Sequence, residues 1–330
     1  MKTVEEFERY FYRHLLAELS ELEKERNKIR IGIIVIFAIS VLLLVTLLCL
    51  FGRSLQMMAS LCFFVLFLVG IGFFLLWNLL SAGISKGFVQ RFKKTVIDGI
   101  VRFIEPSLTY NPKSYITWLD FQRSDLFRDR VDRYTGEDLV YGKYGETEIR
   151  LSEIKAEKKV RSSNKNATER WQTVFSGTFL IADFHKDFFG KTVIFPDFAE
   201  RLFGPLGQAI QGMRLNRGEL IKLENPEFEK YFVVYGSDQI ESRYILSPSF
   251  MERLVTYRKK VGSQVYFSFV NSYIFIAIPT KRNLFEPNLL KNLTDFNHIK
   301  TYFEDLSLLI GAVEDLNLNT RIWSKQPYER

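Results

Sequence analysis

Cysteine and histidine are scarce in this chain of 330 residues, with two of the first and three of the second. Both cysteines, Cys49 and Cys62, fall inside apolar runs, so no disulfide framework is available and a reducing compartment suits the protein. The histidines His14, His185 and His298 are far apart in sequence. No Ser, His, Asp order and no Cys, His pairing stands out to supply a nucleophile with its base. Pro-rich and Gln-rich tracts are lacking, and no internal repeat is evident, which argues against low-complexity segments. No cofactor motif is complete, and none is expected.

Two long runs have no charge at all. They are Ile31 to Leu50 and Leu55 to Leu80, separated only by Phe51, Gly52, Arg53 and Ser54. As a helix the first would be about 30 Å long, the thickness of a bilayer's hydrocarbon core. The second is long enough to span with tilt, or with Trp77 and Asn78 in the headgroup layer. A four-residue connection cannot cross a membrane, so the two spans are predicted to form an antiparallel hairpin with the lipid bilayer as partner. Lys24, Arg26, Lys28 and Arg30 precede it, and Lys86, Arg91, Lys93 and Lys94 follow it, against Arg53 alone in the turn. The excess of cations places both flanks, and therefore both termini, in the cytoplasm. A cleaved signal peptide is the competing reading, but its apolar region runs only about 7 to 15 residues behind a short basic start. The polar residues in the spans, Ser40, Thr46, Gln56, Ser60 and Asn78, are not ionisable, so a transporter reading gains nothing. The net charge of +7 suits an anionic inner leaflet, and nucleic acid is the less favoured partner.

Around the hairpin the pattern is amphipathic. Val4, Phe7, Phe11, Leu15, Leu19 and Leu22 recur at helical spacing within residues 1–30, as do Phe88, Phe92, Val96, Ile100 and Ile104 within 81–104. Two helices with facing apolar stripes are expected to pack as a stalk. A helix lying on the membrane surface and a coiled-coil seam between copies, which would make a homo-oligomer, are the alternatives. From residue 105 to 330 the chain is predicted to form an α+β domain with a largely antiparallel sheet and several helices. The strand candidates are Asp138 to Lys143, Thr147 to Lys155, Thr173 to Asp183 and Lys191 to Phe195, with a later hairpin of Gln264 to Val270 and Tyr273 to Ile278 about Asn271 and Ser272. The basic stretch from Lys158 to Asn166 reads as a hairpin tip. Helix starts are expected at Asp197 with Glu200, at Asp238 with Glu241, and at Ser247 with Pro248, and a last helix at about Leu289 to Asn317. The fold class is thus a membrane-anchored α+β protein, with an N-terminal transmembrane hairpin at 31–80 and a cytoplasmic domain behind it.

Candidate chemistry is thin. Gly207 to Arg214 has the glycine spacing of a phosphate loop but lacks its lysine and hydroxyl, and reads as a connector. Asp183, His185 and Asp187 would share a strand face and offer metal ligands, yet the surrounding Phe and Gly residues favour a turn, and no metal is expected. Asp238, Gln239, Glu241 and Arg243 form the densest polar cluster. Two carboxylates beside an arginine suit acid and base chemistry, but helix capping accounts for them locally.

The run from Asn225 through Tyr231, Phe232, Gly236, Asp238, Glu241, Arg243 and Ser247 to Pro248, together with Phe250 to Leu254 and the upstream Phe175, Gly177, Ala182, Asp183 and Phe184, resembles a bacterial membrane family. That family is catalogued as a domain of unknown function, number three-one-three-seven. The resemblance implies a bacterial inner-membrane protein and a LemA-type membrane protein as partner, and it supplies no catalytic residues. The expected function is that of a scaffold or sensor whose cytoplasmic domain binds a protein or ligand. The alternatives are a membrane hydrolase or transferase using Asp238, Glu241 and Arg243, and a stress or defence effector that oligomerises to disturb the membrane.

Overall fold

The structure, a computed structural model, describes residues 1–51, 70, 87–161, 169–197, 218–288 and 291–319. The second apolar run, apart from Gly70, lies outside them, as do most of the Asp197 helix start, the Gly207 to Arg214 connector and the tip of the basic hairpin. The described chain divides into two compact units.

One unit comprises Val4–Gly99 and Glu286–Thr301. Helix α1 (Val4–Tyr10) passes through a π-helical turn (Phe11–Leu15) into α2 (Leu16–Phe51), which carries the first apolar run without a break. Among the described residues, however, no helix is long and apolar enough to cross a membrane. Several side chains of that run, at 33, 36, 37, 43–45 and 47–50, are outside what the structure describes. The paired transmembrane helices expected from sequence are therefore not among the described elements. The stripe Phe7, Phe11, Leu15, Leu19 and Leu22 is buried. Its neighbour is the returning segment, since the Tyr10 hydroxyl donates to the Gly99 carbonyl (3.3 Å) and Arg91 pairs with Glu25 (2.6 Å). Residue 10 meeting 99 while 25 meets 91 makes the two segments antiparallel. Each contains a π-turn, the second at Lys93–Ile97, where one extra residue per turn rotates the following stripe.

The other unit, mainly Ile100–Phe285 and Tyr302–Arg330, is built on one nine-stranded sheet. In chain order the strands are β1 (Leu108–Asn111), β2 (Arg133–Tyr144), β3 (Thr147–Arg161), β4 (Glu169–Asp183), β5 (Lys191–Pro196), β6 (Glu219–Ile221), β7 (Phe232–Gly236), β8 (Tyr266–Val270) and β9 (Tyr273–Pro279). Their spatial order is β1-β2-β3-β4-β9-β8-β5-β7-β6, and every pairing is antiparallel. The α+β class with an antiparallel sheet is thereby established.

Strand alternation gives the sheet two apolar faces. One carries Ile154, Phe175, Phe179, Ile181, Phe275 and Ala277, buried under Ile116, Phe121 and Leu126, with the Phe121 ring 5.0 Å from that of Phe179. The other carries Val140, Leu151, Leu180 and Ile276. Toward β5 and β8 this second face is covered by α3 (Gln239–Ile245) and α4 (Pro248–Val261), whose Phe250 and Tyr257 rings lie 5.8 and 6.4 Å from Phe269 and Phe267. The last helix is shorter than the sequence pattern suggests: α5 (Phe296–Ile310) is followed by a separate turn of helix at Ala312–Asp315. Asn292 accepts from the Thr294 amide and Asp295 from the Asn297 amide, and these local bonds hold the backbone in turns before the helix begins.

Candidate functional site

The polar cluster singled out from sequence sits at the start of α3, where β7 ends and β5 begins. Asp238 is the N-cap and accepts from the amides of Ile240 and Glu241, both at 2.8 Å. Glu241 does not complete a capping box by reaching back. Its carboxylate instead crosses to the loop before β5 and accepts from the amides of Phe189 (2.8 Å, Oε1) and Gly190 (2.7 Å, Oε2). An added Cβ at Gly190 would lie 2.3 Å from Glu241 Oε2, so a larger residue there would displace that carboxylate. Ser237 extends the seam: its hydroxyl accepts from the Lys191 amide (2.8 Å) and its amide donates to the Lys191 carbonyl (2.9 Å). Beneath it, Thr192 and Ser242 join their buried hydroxyls at 2.9 Å.

The remaining members point elsewhere. Gln239 donates to Glu219 on β6 (2.9 Å), and the Arg243 guanidinium donates to the carbonyls of Gln239 and Lys222 rather than to a carboxylate. The four residues are therefore close in space, but each is directed at backbone or at a neighbouring strand. They form a latch between α3, β6 and the 189–191 loop, and no two of them converge on a common point where a substrate atom would sit.

The latch carries an apolar projection. Phe189 and Ile240, next to the latch residues Gly190 and Glu241, expose 84% and 82% of their surface, and Tyr244 follows one helical turn after Ile240, also exposed. Lys186 lies over the Phe184 and Tyr244 rings at 5.3 and 5.2 Å, and its burial pulls the ammonium below the usual lysine range. Sequence reasoning missed this grouping because 51 residues separate Glu241 from Gly190. The only local trace was the glycine that follows Phe188 and Phe189.

The alternating Asp183, His185 and Asp187 do not line one strand face, because β4 ends at Asp183 and His185 has a positive φ of 55° in a turn. His185 is buried against its surroundings, its amide donating to Asp183 (2.9 Å) and its ring lying 3.3 Å from the Thr147 hydroxyl, while Asp187 accepts from Ser272.

Residues 173–318, which contain the latch, match the family model described as a protein of unknown function, DUF3137. The matched stretch is less than half of the 330-residue chain. It starts within β4 and takes in the latch and α3 to α5. No curated protein matches the chain. Among solved structures, the mycobacterial trehalose monomycolate transport factor A, TtfA, aligns with 64% of this chain and 94% of its own at 14% identity. The TM-score is 0.30, too low for the likeness to carry an argument.

Proposed function

We propose that this chain is a membrane-held binding protein of the bacterial inner membrane, a scaffold or sensor whose sheet domain engages a protein or ligand rather than transforming a substrate. The observation that carries the reading is the exposure of Phe189 and Ile240 beside the latch. Two large apolar side chains are projected into solvent by a seam whose polar groups are already engaged, which is the composition of a contact surface and not of a reaction centre. The charge-free runs and the cations that flank them support the membrane setting and a cytoplasmic domain. A LemA-type membrane protein or a second copy of the chain is the partner to look for first.

A photo-crosslinking residue placed at Ile240 in the full chain, in native membranes, is expected to give adducts of defined mass that are lost on Phe189→Asp. The same probe at the exposed Arg130 serves as the control. The reading fails if the purified full chain turns over a metabolite or nucleotide and Asp238→Asn or Glu241→Gln abolishes that turnover without unfolding the protein.

A further inference from the structure

A second polar group lies far from the latch, where β2 bulges. Glu137 on β2 is the register partner of Glu153 on β3, and Glu153 is in turn the partner of Thr178 on β4. Partners in an antiparallel pair point to the same side of the sheet with Cβ atoms about 4.5–5.5 Å apart, so the three side chains form one row. Between Glu137 and Val140 the register slips, and the extra residue is Asp138, with φ 63°. The bulge delivers a third carboxylate into the same place. One ligand oxygen from each of Glu137, Asp138 and Glu153 lies within 4.8 Å of the other two.

Two features separate this group from an ordinary acidic patch. Asp138 is fully buried, with the Tyr110 hydroxyl donating to it, and Glu153 accepts from the Leu284 amide at 2.7 Å. Thr178, only 1% exposed, has a hydroxyl oxygen that makes no hydrogen bond. Leaving a buried hydroxyl without a partner is costly, and the register sets Thr178 beside Glu153 on the same face of the sheet. Glu137 and Glu153 also line a cleft of about 290 Å³ with Ser176 and Lys281, which gives a route in from solvent. Two cations of the same cleft pair with other acids, Lys155 with Glu157 (3.0 Å) and Arg282 with Asp305 (2.5 Å).

We propose that Glu137, Asp138 and Glu153, with the Thr178 hydroxyl as a fourth oxygen, bind a divalent cation of the calcium type. The donor set is all oxygen, with no histidine or cysteine, which suits a hard cation and not zinc or copper. Calcium accepts a flexible set of protein oxygens, whereas magnesium demands near-ideal octahedral geometry and keeps several waters, so three carboxylates and a hydroxyl supplied by the protein favour calcium. Bound there, the ion ties the bulge of β2 to β3 and β4, and through Glu153 to the segment at Leu284.

The test uses terbium as the probe on the full chain in detergent, after chelator treatment, with excitation of tyrosine, because Tyr110 touches the ligand Asp138. Saturable sensitised emission is expected, displaced by calcium at lower concentration than by magnesium. The affinity is expected to drop roughly tenfold or more in Asp138→Asn and Glu153→Gln, and clearly in Thr178→Val while Thr178→Ser retains it. Calcium is also expected to raise the unfolding temperature of the native chain. Circular dichroism of each variant separates loss of a ligand from loss of fold, and the native and Thr178 titrations stand even if a carboxylate variant does not fold. Lack of saturable emission in the native chain overturns the proposal. So does an affinity unchanged in folded Asp138→Asn or in Thr178→Val, which would assign the emission to surface carboxylates.

Discussion

Glu241 shows how one side chain decides the shape of a surface. Its carboxylate satisfies two loop amides that have no strand partner, and hydrogen bonds to a charged acceptor contribute about 1.5–3 kcal/mol each where water is excluded. At this half-buried position water competes for the amides and each bond counts for less, so Glu241→Ala is expected to lower stability by about 2 kcal/mol in denaturant unfolding, with Glu241→Gln intermediate. Gly190→Ala pushes a methyl into the same carboxylate and is expected to cost no more than the loss of that carboxylate's bonds, about 2 kcal/mol. Neither change touches the sheet core, so both are expected to release Phe189 before the domain unfolds, seen as faster amide exchange at 189–191. His298 offers a different residue-scale test. Burial holds its imidazole below the usual range, although its Nδ1–H donates to the Asn292 carbonyl and opposes the shift. The folded base is harder to protonate than the unfolded one, so the unfolded chain takes up the proton first as pH falls. Stability is therefore expected to be full above about pH 6.5 and to decline below it, and the decline is expected to flatten in His298→Gln.

At the scale of elements, capping and turn chemistry make separable predictions. Asp238→Ala removes both cap bonds of α3 and is expected to cost about 1 kcal/mol, most of it restored by Asp238→Asn. The β8–β9 turn places Asn271 and Ser272 at φ 50° and 64°, the two positive angles of a type I′ hairpin, in which glycine is preferred at the second position. Ser272→Gly is accordingly expected to stabilise by about 0.5 kcal/mol in thermal unfolding, since the 3.2 Å contact it loses with Asp187 is exposed. These same elements explain what could be read in advance. The turn at Asn271, the proline start of α4 and the strands rich in β-branched and aromatic residues are local patterns, and they lie where their residues place them. Three strands escaped notice. β1 and β6 have only four and three residues, and β7 lies in a stretch read chiefly for its likeness to a family. The latch and the carboxylate row escaped for another reason: their members meet through the register of strands that are distant in sequence, and no local spacing records that register.

For the whole molecule, the membrane reading has a direct check, because Cys49 and Cys62 are natural probes within the two apolar runs. In intact cells both are expected to resist a membrane-impermeant maleimide until detergent is added. A cysteine at Ser54 is expected to label from outside, and one at Lys165 only after the membrane is opened. Labelling of Lys165→Cys from outside would reverse the orientation.

The order of the sheet also bears on how the protein is made. Strands β8 and β9 come last in the chain but sit at its centre, between β4 and β5. Until residue 279 has left the ribosome, the first four strands and the group of β5, β7 and β6 are two sheets, each with an unpaired apolar edge. A nascent chain stalled before that point exposes both edges next to other polypeptides, a state that invites aggregation or a holding chaperone. Synthesis of the final hairpin is thus the step that turns two sticky halves into one domain, and truncations ahead of it are expected to be degraded rather than to accumulate as partial proteins.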